Sequence, residues 1–128
     1  MNSEPELICV IEDNVSIRKL YEVILKKNDY TVVEFEEGNK AVEWLSTHNP
    51  LAVICDDLLP DSSGKEIITS LRNFSHGKVL PVIIVTGFAH ATDRERYLAM
   101  GFDGYISKPI NTSSFVEELR HFIDSKKK

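Results

Sequence analysis

The chain is 128 residues long and carries 15 Lys and Arg against 20 Asp and Glu, for a formal net charge of −5. That length suits one domain with a real core, and 42% hydrophobic with 27% charged residues excludes a disordered or low-complexity chain. An acidic chain whose basic residues cluster only at Lys126-Lys127-Lys128 is not expected to bind nucleic acid. No apolar run approaches the roughly 20 residues of a membrane helix, the first residues are acidic and polar, and two isolated cysteines form no disulfide framework. A cytoplasmic protein with no membrane contact is therefore expected.

Apolar runs and helical patterns alternate along the chain. Leu7 to Ile11 reads as a buried strand, and Asn14 as the cap of a helix whose Ile17, Leu20, Tyr21, Ile24 and Leu25 recur at helical spacing. Thr31 to Phe35 is short and β-branched, hence a second strand. Gly38 opens a helix with Ala41, Trp44, Leu45 and His48 on one face, and Asn49-Pro50 ends it. Leu51 to Cys55 is a third strand running into an acidic Pro/Gly loop, Asp56 to Gly64. Ile67, Leu71 and Phe74 mark a third helix, and Val82 to Val85 a fourth strand.

Thr92 to Met100 reads as a helix with a thin apolar stripe, closed by Gly101. Tyr105 to Ser107 is a fifth strand, and the last helix starts near Thr112 and buries Phe115, Leu119, Phe122 and Ile123. Five strands alternating with five helices imply an α/β domain with a parallel sheet covered on both faces. Near-continuous apolar strands fit that class. The whole chain, 1–128, reads as one domain with its core at about 7–124 and a short tail at 125–128.

In open parallel sheets, functional groups gather where strands end and the following loops begin. Those positions hold Glu12-Asp13, Glu36-Glu37, Asp56-Asp57, Thr86-Gly87 and Ser107-Lys108. Carboxylates, a hydroxyl and an ammonium together suit phosphate chemistry: a hard cation such as Mg²⁺ takes carboxylate oxygens, and Lys and Thr meet phosphoryl oxygens. Glu12, Asp13 and Asp56 contribute −3, which Mg²⁺ and Lys108 together balance. Each pair has a plainer reading too. Paired acids are commonly a solvated turn, a lysine beside proline a surface lysine, and Tyr105 a core aromatic; Asp57 is expected to face solvent, Trp44 to be core, and Cys9 and Cys55 to be buried reduced thiols. The four histidines share no ligand-like spacing.

Taken together, Glu12-Asp13, the segment Val53 to Pro60 with Gly64 beyond it, Val85-Thr86-Gly87, and Tyr105 to Pro109 resemble the receiver domain of two-component response regulators over about Leu7 to Asp124. The resemblance implies a flavodoxin-like sheet of order 2-1-3-4-5. The family's acceptor aspartate lies four residues before the loop proline and eight before the loop glycine, offsets that select Asp56 over Asp57. By the same resemblance Asp56 is the phosphoacceptor. Glu12, Asp13, Asp56 and the Leu58 carbonyl hold Mg²⁺, Lys108 pairs with a phosphoryl oxygen, and Thr86 and Tyr105 are the switch residues; the Lys108-Pro109 bond is typically cis. A sensor histidine kinase or histidine phosphotransfer protein is the implied donor. The fourth helix, fifth strand and last helix form the implied output face, toward a downstream protein or a second copy.

Departures are small. Glu12 is a methylene longer than the Asp often found there, and Leu58 and Phe88, which flank the phosphoryl group in the family, are both apolar. The hypothesis that follows is that they screen attacking water and lengthen the phosphorylated lifetime. Two rivals stand beside this reading. A haloacid-dehalogenase-type phosphatase needs a second Asp two residues after the nucleophile, where this chain has Leu58. A phosphorylation-independent pseudo-receiver would not need the retained Glu12, Asp13, Asp56, Thr86 and Lys108. A receiver excised from a larger response regulator or hybrid kinase is the further alternative.

Overall fold

The computed structural model describes residues 6–87 and 91–127. Strands β1 (Glu6–Ile11), β2 (Tyr30–Phe35), β3 (Ala52–Asp56), β4 (Val82–Thr86) and β5 (Gly104–Ser107) alternate with helices α1 (Val15–Lys27), α2 (Gly38–Leu45), α3 (Gly64–Asn73), α4 (Ala91–Met100) and α5 (Phe115–Lys127). All four strand pairings are parallel and the order is 2-1-3-4-5, the flavodoxin-like arrangement expected. No helix among the described residues is long and apolar enough to cross a membrane.

Because the central strands are covered on both sides, their alternate residues feed two separate cores. Ile8, Val10, Ile54, Ile83 and Val85 point to one side, where Tyr21, Leu25, Phe115 and Leu119 from α1 and α5 meet them. Cys9, Ile11, Val53, Cys55, Val82 and Ile84 point to the other, against Ala41, Leu45, Ile67, Ile68, Leu71 and Tyr97. Each fully buried aliphatic side chain contributes about 1.5–3 kcal/mol. Both cysteines are free thiols in the second core.

Local chemistry explains the helix starts. The Asn14 side chain accepts the Ile17 N–H, and Ser63 and Glu66 form a reciprocal capping box on α3. No side chain of its own caps α2; instead Asp61, from the loop after β3, accepts the Gly38 and Asn39 N–H groups at 2.9 and 2.8 Å. A Cβ at Gly38 would meet the Ser62 hydroxyl and the Ile67 side chain, so those side chains would have to shift to admit one. At the opposite pole Arg72 donates to the carbonyls of Gly77, Leu80 and Gly101 and to Asp103. Asp103 in turn accepts the Val82 N–H and pairs with Lys126.

Several expectations change in detail. The second helix stops at Leu45, so His48 is exposed and stacks on a partly buried Trp44 at 4.2 Å. Phe74 is the extended cap of α3 rather than part of it, and a 3-10 turn follows at His76–Lys78. The last helix begins at Phe115, three residues later than Thr112, because Asn111 organises a turn that accepts from Ser113 and Phe115.

Candidate functional site

The site lies at the carboxyl edge of the sheet, where β1, β3, β4 and β5 end. Glu12 and Asp13 follow β1, and one carboxylate oxygen from each of them and from Asp56 lie within 4.8 Å of one another. Lys108 bridges two of them: its Nζ lies 3.1 Å from Asp56 Oδ1 and 3.2 Å from Glu12 Oε1. The backbone fixes these groups. Glu12 N–H donates to Phe35 O, Lys108 N–H donates to Thr86 O at 2.8 Å, and the Lys108-Pro109 peptide is cis. Asp57 N–H donates to Asp56 Oδ1 at 2.8 Å, orienting the acceptor-candidate carboxylate.

The electrostatics are those of an under-compensated acidic cluster. Three carboxylates face one ammonium. Glu12 is only 1% exposed, and burial pushes its carboxyl up to about 7. The Asn14 N–H holds it down, Asp56 pushes it up again and Lys108 opposes that. Burial acts to lower the Lys108 pKa, but hydrogen bonds and charge from Asp56 and Glu12 outweigh it and leave the ammonium above its ordinary range. Clustered hard oxygens with excess negative charge are the donor set a small divalent cation takes, so the residues present fit Mg²⁺.

Thr86 is 2% exposed at the end of β4. Tyr105 is half-buried with its ring stacked on Tyr97, centroids 5.9 Å apart. Leu58 is 64% exposed, and its backbone is pinned by an isolated bridge to Ser63. Phe88 lies outside the described residues. Thus the fold gathers Glu12, Asp13, Asp56 and Lys108 directly, with Thr86 and Tyr105 on the adjoining strands.

Asp57 departs from expectation. It does not face solvent freely; it is half-buried and accepts a 2.6 Å hydrogen bond from the Tyr97 hydroxyl. The sequence carried no signal for that pairing, because the partners are 40 residues apart. Arg18 was also missed. Its guanidinium donates to the Glu12 carbonyl at 2.9 Å and to Glu36 at 3.0 Å and lies 3.5 Å from Glu34, bracing the β1 end against β2. Its position one turn after the Asn14 cap was the available clue.

Comparisons with known proteins agree with this geometry. The family model of the response regulator receiver domain matches residues 8–120, so the chain belongs to that family. It is a receiver domain of a two-component system, a signalling module rather than a classical enzyme. Among its relatives, the polar-differentiation response regulator DivK of Brucella anthropi is 31% identical over 119 residues, covering 93% of this chain and 97% of DivK. The receiver domain of a sensor histidine kinase from Pseudomonas aeruginosa, solved with a magnesium ion in its active site cleft, superposes with a TM-score of 0.86 at 26% identity, covering 94% of this chain and 99% of that one. The chemotaxis response regulator CheY4 of Vibrio cholerae shares the fold with a TM-score of 0.88 at 22% identity, over 93% and 99% of the two chains.

Proposed function

We propose that this receiver domain, acting as one unit over the whole chain, is a phosphorylation-dependent switch that accepts a phosphoryl group on Asp56. The donor is the phosphohistidine of a sensor histidine kinase or histidine phosphotransfer protein. The observation that carries the reading is the convergence of Glu12, Asp13 and Asp56 within 4.8 Å, with Lys108 3.1 Å from Asp56.

A carboxylate oxygen of Asp56 attacks phosphorus, the P–N bond breaks, and an acyl phosphate forms as histidine leaves. Glu12, Asp13, Asp56 and the Leu58 carbonyl would hold Mg²⁺, which supplies charge neutralisation on the phosphoryl oxygens. Lys108 remains within reach of a non-bridging oxygen, and Thr86 donates its hydroxyl proton to another. Phosphorylation replaces one carboxylate charge by about −1.5 to −2 and adds three acceptor oxygens, enough to reorder neighbouring donors. Tyr105 follows Thr86, and the face of α4, β5 and α5 delivers the change to a downstream protein or a second copy.

Intact-protein mass after incubation with Mg²⁺ and acetyl phosphate tests this. One phosphoryl group on the parent, absent from Asp56→Asn and lost on chelation, is the expected result. A parent that remains unmodified and also fails to bind beryllofluoride overturns it in favour of a pseudo-receiver.

A further inference from the structure

Helix α4 is held to the domain by very little. Of its described side chains only Tyr97 is buried, at 1% exposure; Met100 is half-buried and Arg94, Glu95, Arg96, Leu98 and Ala99 face solvent. The Tyr97 ring packs edge-on against Phe102 and stacks on Tyr105. Its hydroxyl gives its one proton to Asp57 Oδ2 at 2.6 Å. A charge-assisted bond this short is among the stronger ones a side chain makes.

Asp57 is no remote anchor. Its N–H donates to Asp56 Oδ1, and its carbonyl accepts the Gly64 N–H at 2.8 Å, so the peptide that orients Asp56 also carries the carboxylate gripped by α4. A phosphoryl group on Asp56 adds acceptor oxygens and new negative charge beside the Asp57 carboxylate that holds the phenol.

We propose that Tyr97 is a positioning residue that couples α4 to the acceptor: its phenol latches α4 to Asp57 in the unmodified domain, and phosphorylation of Asp56 undoes that latch. The inference rests on the acceptor assignment above and names the residue through which that site reaches the output face. Tyr97→Phe keeps the ring and removes that hydrogen bond. Since the bond favours the unmodified arrangement, its loss makes that arrangement easier to leave.

The test is titration of the chain with beryllofluoride at saturating Mg²⁺, together with hydrogen exchange at the α4 amides. Tyr97→Phe is expected to tighten beryllofluoride binding about tenfold, in the range of one lost charge-assisted hydrogen bond. Its α4 amides are expected to exchange, without beryllofluoride, as fast as those of the loaded parent. Asp57→Ala breaks the same bond from its other end and serves if Tyr97→Phe does not fold. In the double variant the two effects are expected to be non-additive, which a packing role for Tyr97 alone would not produce. A parent that binds while Tyr97→Phe binds within twofold of it, or more weakly, overturns the latch and leaves the acceptor assignment standing. A parent that binds nothing overturns both.

Discussion

Lys108→Met exposes the electrostatic balance of the site directly. Lys108 Nζ contacts Asp56 Oδ1 at 3.1 Å and Glu12 Oε1 at 3.2 Å, and the three side chains are 24%, 12% and 2% exposed. At an effective dielectric near 20 each contact is about 5 kcal/mol of gross attraction, most of it offset by the desolvation of the same groups. The net loss is limited because Glu12 can take up a proton. Its folded pKa, about 7, is raised from an ordinary 4.5. A raised acid binds its proton more tightly when folded, so its contribution to stability is full below about pH 4.5 and is lost as pH rises through about 7. Removing Lys108 raises that pKa further, and the loss then continues above pH 7 at about 1.4 kcal/mol per pH unit. With about 1 kcal/mol for the partly exposed Asp56 pair, the variant is less stable by about 1 kcal/mol at about pH 6 and about 2.5 kcal/mol at about pH 8. For a domain of this size the Tm deficit is about 4 °C, growing to about 10 °C. Thermal unfolding across that pH range, without and with Mg²⁺, is the assay, and the cation is expected to restore most of the deficit by replacing the ammonium among the carboxylates. A deficit that does not change with pH, or one that Mg²⁺ leaves untouched, refutes the reasoning.

Three further outcomes are expected. Family resemblance implies that Leu58 and Phe88 flank the phosphoryl group, so Leu58→Asn and Phe88→Glu are each expected to speed hydrolysis of the phosphorylated domain several-fold; unchanged decay of the phosphorylated mass peak would remove the water-screening role. Arg72→Lys keeps the charge but cannot reach the carbonyls of Gly77, Leu80 and Gly101 together with Asp103, and is expected to cost about 2–3 kcal/mol in urea unfolding. A loss below about 0.5 kcal/mol would show the fork to be dispensable. Burial pushes the Cys9 thiol well above its ordinary range and does the same to Cys55, where Asp56 adds to the effect. Both are expected to resist an aromatic disulfide reagent until the domain unfolds, and rapid reaction of either in the native state would contradict the packing.

The fold was readable in the chain because both faces of the sheet are covered. Runs such as Leu7 to Ile11 and Val82 to Val85 are apolar without alternation, and the stretches between them repeat at helical spacing. The site was readable for a related reason: parallel strands end at one edge, so residues just after each apolar run must meet there. Glu12, Asp13, Asp56, Thr86 and Lys108 needed no knowledge of side-chain contacts to be listed together, and it was the family resemblance, through its offsets to Pro60 and Gly64, that selected Asp56 as the candidate acceptor. Sheet order came from the family resemblance, since alternation alone is silent on which strands are neighbours.

Other features depended on packing across distant elements. The cap of α2 is Asp61, and the brace between α3, the β5 entry and α5 is Arg72 with Asp103 and Lys126; neither has a local pattern, because each partner belongs to a different element. Asp57 looked like a solvated neighbour of the acceptor for the same reason. Its side chain is claimed by Tyr97, a residue of α4 that the sequence reading did not single out. Local periodicity records which way a residue faces relative to its own backbone. Hydrogen bonds between loops and helices that the sheet order brings together are decided by the tertiary arrangement, and in this domain the attachment of α4 beside Asp56 is one of them.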